Sequence, residues 1–390
     1  MTQPATLNPE PSSGAYQPAA WSAVQVEAIG SQTPAGAPLI GEGDFKRIAD
    51  DLDVWDAWPV QQRDGHPAAL EDGTTLWMAL GAPRFPDPDE RHGHARIHLL
   101  ARRGEDWRHL GPAMPDGFSP GSREWSGSAV LEPDGTTLTL YFTATGRRGE
   151  PTLTFEQRLY RAIATLDRES DKSPRLCHWR DLQEIVVRDP VLYMASDAGA
   201  AEVGRIKAFR DPAYFLDPAS GAQYLLFAAS LAGSSSEFNG VIGAAIAGDV
   251  EGKEWRILPP LVSADTLNNE LERPHMLQRD GLYYLFWSTQ RHVFNPEGPM
   301  GPTGLYGMVS ERIDRGWRPI NGTGLVFANP PEAPKQAYSW LVLPDLSVTS
   351  FVDEWGAGES YSGPRRFGAS FAPMLRLVLS GDGAWLDLRA

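Results

Sequence analysis

Three carboxylates stand in short polar motifs that interrupt apolar stretches of this 390-residue chain. Asp56 lies between Trp55 and Trp58, Asp211 lies in the motif FRDPAYF, and Glu272 lies in ELERPH. Two carboxyl groups can cleave a glycosidic bond, one as nucleophile and one as general acid, and a third can stabilise the cationic transition state. Indole rings beside a carboxylate offer the flat face on which a sugar ring stacks. These residue types therefore indicate carbohydrate chemistry.

The lengths and positions of the acids favour a division of roles. The longer Glu272 fits a proton donor and Asp56 fits a nucleophile, and clustered carboxylates push one another's proton affinities apart. Glu270, two residues before Glu272, faces the same side of a strand and would keep that acid protonated or bind sugar hydroxyls. Arg210 and Arg273 each adjoin an acid. Strict strand alternation would turn each arginine away from the face of its neighbouring acid, but strand ends at a channel mouth are irregular, so Arg273 is given no role.

The motifs belong to a unit that recurs five times. Each unit has a polar start, an apolar run, a tight turn and a second apolar strand, and Asp-Gly between alternating apolar runs is a strong hairpin signal. The turns, roughly 60–85 residues apart as in repeat proteins, are Asp64-Gly65, Asp134-Gly135, Pro218–Gly221, Asp280-Gly281 and Pro344-Asp345. Further strands are predicted at Ala95–Arg102, Leu159–Leu166, Val241–Ile246, Gly304–Val309 and Met374–Leu379. Four strands in each of five units predict an all-β, five-bladed β-propeller.

The propeller geometry places the candidate residues together. The first strand of each blade lines the central channel, so residues near the five strand starts meet at one end of that channel. These starts are occupied by Asp56, Ser126, Asp211, Glu272 and Tyr338. We therefore expect them to surround a central, funnel-shaped active-site pocket.

The domain organisation is predicted to be simple. A single propeller domain is expected over residues 45–390, and residues 1–44 are expected to form an extended or partly disordered segment that wraps the body. One short helical turn is expected at Phe45–Asp51. The Pro-, Ser- and Gln-rich composition of the first 20 residues is the basis for the extended segment.

Composition and charge exclude several classes of partner. The net charge of −15 and the pI of about 5.0 argue against nucleic acid and anionic membranes. No apolar run is long enough to span a membrane.

No basic residue precedes Lys46 and no signal peptide is recognisable. An extracellular location reached by another route is expected, with the cytoplasm and the periplasm left open. Cys177 is the single cysteine, which excludes an intrachain disulfide and indicates a buried or partly buried free thiol.

Two segments are candidates for a metal site. His92, His94 and His98 are spaced to share a strand face, but their spacing fixes no carboxylate partner, and a structural role is preferred. The acidic run Pro86–Glu90 lacks the ligand spacing of an EF-hand and is interpreted as a solvated loop. No metal and no cofactor are therefore expected.

Each motif alone also has an ordinary structural explanation. Asp211 before a proline can start a turn, and Glu272 before an arginine can form a surface salt bridge. Asp56 can be a solvated residue at a hairpin start, and Trp125 can belong to the core. The coincidence of these residues with the starts of predicted blades favours a functional site.

Four motifs, in order, resemble the signatures of glycoside hydrolase family 68, which contains levansucrases, inulosucrases and bacterial β-fructofuranosidases. They are VWDAWP from Val54, REWSGS at Arg123–Ser128, FRDPAYF at Phe209–Phe215 and ELERPH at Glu270–His275. RHGHARI at Arg91–Ile97 and the glycine-rich segment Gly301–Gly307 are similar to the Gram-negative branch. The resemblance covers most of Val54–Leu379 and implies a five-bladed propeller, in agreement with the repeat count.

The resemblance also implies a role for each site residue. Asp56 would be the nucleophile, Asp211 the transition-state stabiliser and Glu272 the acid/base. The implied substrate-binding residues are Trp55, Trp125, Ser126, Arg210, Glu270 and Tyr338. Gln290 stands where the family often has a charged residue that contacts glucose or the acceptor, so acceptor preference is placed in doubt.

The implied activity is sucrose-cleaving fructosyl transfer of the levansucrase type, with sucrose, fructo-oligosaccharide or fructan as partners. A covalent fructosyl-enzyme would pass fructose to sucrose, fructan or water with retention. Activity is expected to fall at alkaline pH, where the acid loses its proton. The alternatives are a mainly hydrolytic β-fructofuranosidase, an inulosucrase, an inverting or arabinofuranoside-cleaving glycosidase, and a non-catalytic sugar-binding propeller.

Overall fold

The computed structural model describes residues 17–31, 36–168, 173–198, 205–356 and 362–388. In these ranges, five antiparallel blades follow one another along the chain, and the innermost strands of consecutive blades pack together around a central channel. The first two blades are joined into one sheet by a short parallel pairing of their innermost strands at Val60 and Ala129. The prediction of an all-β, five-bladed propeller is confirmed. The predicted extended segment at residues 1–16 and 32–35 lies outside the described residues.

The elements occur in blade order. Before the blades lie strand β1 (Ala19–Ala20), helix α1 (Ala23–Glu27) and a 3-10 helix at Ala28–Ser31. The first blade contains β2 (Leu52–Gln61), β3 (Thr75–Pro83), β4 (Arg96–Arg103) and β5 (Asp106–Pro112). The second contains β6 (Arg123–Leu131), β7 (Thr137–Thr145), β8 (Gln157–Asp167) and β9 (Arg175–Val186). The third contains β10 (Phe209–Leu216), β11 (Gln223–Ser230), β12 (Gly240–Ala247) and β13 (Trp255–Ser263).

The last two blades complete the ring. The fourth contains β14 (Glu272–Arg279), β15 (Leu282–Thr289) and β16 (Gly304–Ser310), with β17 (Arg318–Pro319) and β18 (Leu325–Ala328) both pairing with β16. The fifth contains β19 (Ala337–Val342), β20 (Ser347–Val352), β21 (Leu375–Ser380) and β22 (Gly383–Leu386). Further 3-10 helices are Pro88–Gly93, Arg291–Val293 and Ile320–Gly322. None of the helices in the described ranges is long and apolar enough to cross a membrane.

The middle strands of the blades are apolar on both faces because each blade is covered by its neighbours. In β11 (QYLLFAAS) and β15 (LYYLFWST), almost every residue is buried. Strands buried on both faces have continuous apolar runs rather than strict alternation. The five intermediate strands and the five turns that the sequence predicts are all present, with strand ends that differ only slightly.

The helical turn predicted at Phe45–Asp51 is wrong, because these residues form no helix. Instead the segment is fixed by side chains. Phe45 packs edge-on against Trp355, with 5.6 Å between ring centroids, and Arg47 donates to the backbone of Leu52 and pairs with Asp53. A helix this short is disfavoured by its high nucleation cost, and these tertiary contacts stabilise the non-helical conformation instead.

The segment before the blades packs on the third and fourth of them. Strand β1 pairs in parallel with β13 at Ala19 and Val262. Trp21 is only 1% exposed, and its indole Nε1 donates to the Thr323 carbonyl at 3.0 Å. Its ring lies 5.3 Å from that of Trp287, so this part of the chain adds a large aromatic side chain to the core.

Near its start, each innermost strand has one extra residue inserted relative to the strand that pairs with it in the same blade. These β-bulges lie between Trp55 and Trp58, Trp125 and Gly127, Arg210 and Ala213, Glu272 and His275, and Tyr338 and Leu341. Four bulges contain a residue with positive φ, namely Asp56 (50°), Asp211 (63°), Arg273 (49°) and Ser339 (62°). A bulge interrupts the alternation of side chains and re-aims them. The bulges therefore decide which side chains reach the channel.

We expect Gly127→Ala to lower the melting temperature clearly. A Cβ at Gly127 would lie 1.9 Å from the backbone oxygen of Tyr141, so the bulge of β6 would have to shift. Overpacking a site of this kind costs about 1–3 kcal/mol or more. Thermal unfolding followed by circular dichroism measures the change. Gly43→Ala is the matched control, since nothing lies within 4 Å of its Cβ, and an equal melting temperature for both variants would contradict the role given to the bulge.

Candidate active site

A single buried guanidinium lies among three carboxylates at the mouth of the channel. Arg210 is 5% exposed, and its Nη2 lies 2.7 Å from Glu272 Oε1 and 3.7 Å from Glu270 Oε2. Its Nε lies 3.7 Å from Asp211 Oδ2. The bulge of β10 explains this arrangement, because it lets Arg210 and Asp211 both reach the site although they are adjacent. Strict alternation alone would turn Arg210 away, and the bulge is the strand irregularity that brings it into the site.

A chain of hydrogen bonds connects the first three blades below these acids. Ser126 Oγ donates to Asp56 Oδ2 at 2.8 Å, and Thr143 Oγ1 donates to the Ser126 carbonyl at 3.1 Å. The same Thr143 oxygen accepts the backbone N–H of Asp211 at 2.9 Å. Asp56 and Asp211 are therefore fixed relative to each other through the second blade.

Arg273 connects the remaining blades from inside the channel. Its Nη2 donates to the Ala57 carbonyl of the first blade at 2.8 Å, and its Nη1 donates to Ser339 Oγ of the fifth blade at 2.8 Å. Its backbone N–H donates to Asp211 Oδ2 at 3.3 Å. The guanidinium carbon lies 5.8 Å from the ring centre of Trp58. The sequence had left this arginine without a role, because nothing local indicates partners so far away in the chain.

Glu272 is held by two side chains and is the most exposed of the acids around Arg210. Its Oε1 accepts from Arg210, and its Oε2 accepts a short hydrogen bond from the Tyr338 hydroxyl. The Glu272 side chain is 21% exposed, compared with 8% for Asp211 and 10% for Glu270. A molecule entering the funnel can therefore reach Glu272 more easily than the other two.

Crowding of like charges changes the acidity of the cluster. Burial, with repulsion from Glu272 and Asp56, raises the pKa of Asp211 to about 7. Burial and repulsion from Glu272 raise the pKa of Glu270 to about 8. Burial alone would lower the pKa of Arg210, but the surrounding carboxylates raise it above its ordinary value. Asp211 and Glu270 thus retain protons near neutral pH, and strongly shifted acids of this kind are typical of functional sites.

Two tryptophans flank the acids. Trp55 is 2% exposed, and the guanidinium carbon of Arg91 lies 5.3 Å from its ring centre, while His92 meets it edge-on at 6.0 Å. Trp125 is half-buried, with its ring centre 6.2 Å from that of Phe155. Within the described part of the chain, the buried Trp125 Nε1 and Arg210 Nη1 have no hydrogen-bond partner. Both are donors that a bound ligand can satisfy.

Gln290 lies at the end of β15 and makes no side-chain hydrogen bond to the short helix that follows it. No described contact joins it to the acids. His292, two residues on, is nearer to them. Burial of the imidazole lowers its pKa, whereas the negative charge of Glu272 acts to raise that pKa. The sequence pointed to the segment that begins at Gln290, but it did not indicate that His292 is the residue on which the charge of Glu272 acts.

The histidines considered as metal ligands do not form one site. His92 contacts the Asp89 carbonyl, His94 packs on Phe85, and His98 Nδ1 lies 2.8 Å from His109 Nε2. In the described ranges, no three His, Cys, Asp or Glu side chains are arranged as metal ligands.

The acidic run is not a freely solvated loop. Asp89 pairs with Arg91 and Arg365, and Arg365 also pairs with Asp353 of the fifth blade. Because Arg91 lies between the rings of Trp55 and Phe367, this loop links the first and fifth blades beside the pocket.

The chain is similar to known carbohydrate-active proteins. A family model described as Levansucrase/Invertase matches residues 11–240 and 235–390. A levansucrase of Pseudomonas syringae pv. actinidiae is 32% identical over 413 residues, covering 95% of this chain and 91% of the relative. A levansucrase of Rahnella aquatilis is 30% identical over 412 residues, covering 95% of each chain.

Solved structures have the same fold. An inulosucrase from Halalkalicoccus jeotgali bound to kestose is 34% identical, with a TM-score of 0.86 and coverage of 95% of each chain. A levansucrase from Gluconacetobacter diazotrophicus is 24% identical, with a TM-score of 0.81 and coverage of 96% of this chain and 91% of the other.

We expect Glu270→Gln to move the alkaline limit of activity to lower pH. The raised pKa values of Asp211 and Glu270 mean that these two acids lose their protons between about pH 7 and pH 8. Removing one negative charge lets the remaining acids ionise at lower pH, so activity falls earlier as pH rises. The pH dependence of kcat/KM measures this limit. Glu71→Gln, at an exposed turn, is the control. An unshifted limit in Glu270→Gln would contradict the coupling of the acids.

Proposed function

Because the chain belongs to glycoside hydrolase family 68, the levansucrase/invertase family, we propose that it is a sucrose-cleaving fructosyltransferase of the levansucrase type. The carrying observation is that Asp211 of the third blade and Glu270 and Glu272 at the start of the fourth converge around Arg210. Asp56 of the first blade lies close enough for its charge to act on Asp211. Levansucrases at 30–32% identity over most of both chains support the choice of substrate.

In the first half-reaction, Asp56 attacks C2 of the fructosyl unit of sucrose. The Asp56–C2 bond forms as the bond from C2 to the glucosyl oxygen breaks, and Glu272 gives its proton to that oxygen. Ser126 orients Asp56 by donating to Oδ2, while no described residue donates to Oδ1. One carboxylate oxygen is thus positioned and the other is left to react. Glucose then leaves a fructosyl ester.

In the second half-reaction, Glu272 acts as the base. It takes a proton from water or from a hydroxyl of sucrose or fructan, whose oxygen attacks C2 and releases Asp56. The anomeric configuration is retained because each half-reaction inverts it once. Tyr338 donates to Glu272 and would stabilise its charged form between the two steps.

The fructosyl unit would be bound by side chains that surround the acids. Asp211 is placed beside the acids, where its carboxyl group would stabilise the oxocarbenium-like transition state. Glu270 and the unpaired Nη1 of Arg210 are suited to sugar hydroxyls, and Trp55 and Trp125 provide apolar faces.

An inulosucrase is the second candidate, favoured by the 34% identity and the TM-score of 0.86 to the kestose-bound inulosucrase. Levansucrases and inulosucrases differ in the hydroxyl that accepts fructose, so linkage analysis of the product separates them. A mainly hydrolytic β-fructofuranosidase would transfer fructose to water instead. The extracellular location expected from the sequence stays a prediction.

We expect the purified protein to release glucose from sucrose in excess over free fructose, because part of the fructose is transferred to acceptors. Enzymatic assays of both sugars over time measure the ratio. Equal release of glucose and free fructose would show that the protein hydrolyses sucrose instead of transferring fructose. No release of glucose at all would refute the proposal.

We expect Asp56→Asn to lower kcat by on the order of 10³-fold or more, because an amide is a poor nucleophile. Glucose release from sucrose measures the loss. Asp64→Asn is the matched control, since Asp64 lies at an exposed turn and pairs only with His66 among the described residues. Comparable activity of the two variants would exclude Asp56 as the nucleophile.

A further inference from the structure

A buried lysine lies behind the acids and takes no part in the proposed mechanism. Lys207 precedes β10 by two residues and is 2% exposed. Its ammonium Nζ lies 2.5 Å from the Glu237 carbonyl, 3.1 Å from Asn239 Oδ1 and 3.0 Å from Asn269 Oδ1. A charge buried in this way is stabilised only when it is fully hydrogen-bonded. The three oxygens match the three donors of an ammonium group.

We infer that Lys207 is a positioning residue that fixes the strand entry carrying Glu270 and Glu272. This inference rests on the proposed function and deepens it.

The ammonium joins three segments. Lys207 itself belongs to the connection into the third blade, Asn239 precedes β12 in that blade, and Asn269 lies in the connection into the fourth blade. Asn269 is also tied back to the first of these segments, because its Nδ2 donates to the Ile206 carbonyl at 3.2 Å. Loss of the ammonium would remove a hydrogen-bond donor from the buried amide oxygens of Asn239 and Asn269, and the entry to β14 would relax.

The anchored segment leads directly to the acids. Asn269 is followed by Glu270, whose backbone N–H donates to Asn268 Oδ1 at 2.8 Å. The Asn268 carbonyl in turn accepts from Gly240 of the third blade at 2.8 Å. Glu272 begins β14 two residues later. A displacement at Asn269 would therefore move both glutamates relative to Arg210.

The charge of Lys207 also acts on Glu270. The charges of Arg210 and Lys207 oppose the burial that raises the pKa of Glu270. The charged or titratable groups that affect Glu270 are Glu272, Arg210, Asp211, Lys207 and Tyr338. Those that affect Lys207 are Glu237 and Glu270. Removing the ammonium would thus make the cluster hold its protons to higher pH.

The test is Lys207→Met, which keeps the length of the side chain and removes the charge. We expect kcat for sucrose to fall ~10-fold or more, as small misplacements of catalytic groups do, with a smaller change in KM. The alkaline limit of kcat/KM is expected to move to higher pH, opposite to the shift in Glu270→Gln. Lys253→Met is the control, because Lys253 is exposed on the outer part of the third blade.

Kinetic constants are referred to the folded fraction. A merely structural lysine would lower the melting temperature but leave kcat and the alkaline limit as in Lys253→Met, and that result would overturn the inference.

Asn239→Ala decides the question if Lys207→Met does not fold. It removes one oxygen partner but keeps the ammonium, so we expect a severalfold loss of kcat without a shift of the alkaline limit. An unchanged kcat would overturn the inference. Failure of the proposed function is seen separately, because then the unmutated protein releases no glucose from sucrose.

Discussion

Hydrogen bonds at the level of the strand bulges run through all five blades and hold the acids in one place. Asp56 is tied to the second blade by Ser126, and Asp211 is tied to it by Thr143. Arg273 then connects the fourth blade to the third, fifth and first. Side-chain packing between neighbouring blades resists their separation but does not fix the angles between them. Directional bonds near the channel mouth supply the geometry that catalysis requires.

Negatively charged side chains are concentrated at the same level of the channel. Asp211 and Glu270 are buried beside Glu272, and one guanidinium, Arg210, is shared among all three. Full ionisation would leave uncompensated negative charge in a poorly solvated space, so protons are retained near neutral pH. Burial makes the site costly to fold and also raises the pKa values of Asp211 and Glu270. The positive φ values of Asp56, Asp211 and Arg273 are a further local cost, concentrated where function is proposed.

Much of the fold was predictable because its signals are local. Asp-Gly turns and apolar runs define hairpins within a few residues, and counting them predicted five blades. The acids could be named from their motifs, but their mutual geometry could not. Strict alternation turns Arg210 away from the site, and only the bulge in β10 brings it in. Arg273 contacts Ala57, 216 positions away, and Lys207 contacts Asn269, 62 positions away, so no local pattern indicates either contact.

The account depends most on Asp56 as the nucleophile and Glu272 as the acid/base of one shared site. The direct measurement is mass spectrometry of Glu272→Gln after reaction with fructosyl fluoride, a donor whose leaving group departs without protonation. Asp56 can then form its ester, but no base activates water, so the ester should accumulate. The account predicts one added fructosyl unit on the peptide that contains Asp56. No adduct, or an adduct on another peptide, would contradict it.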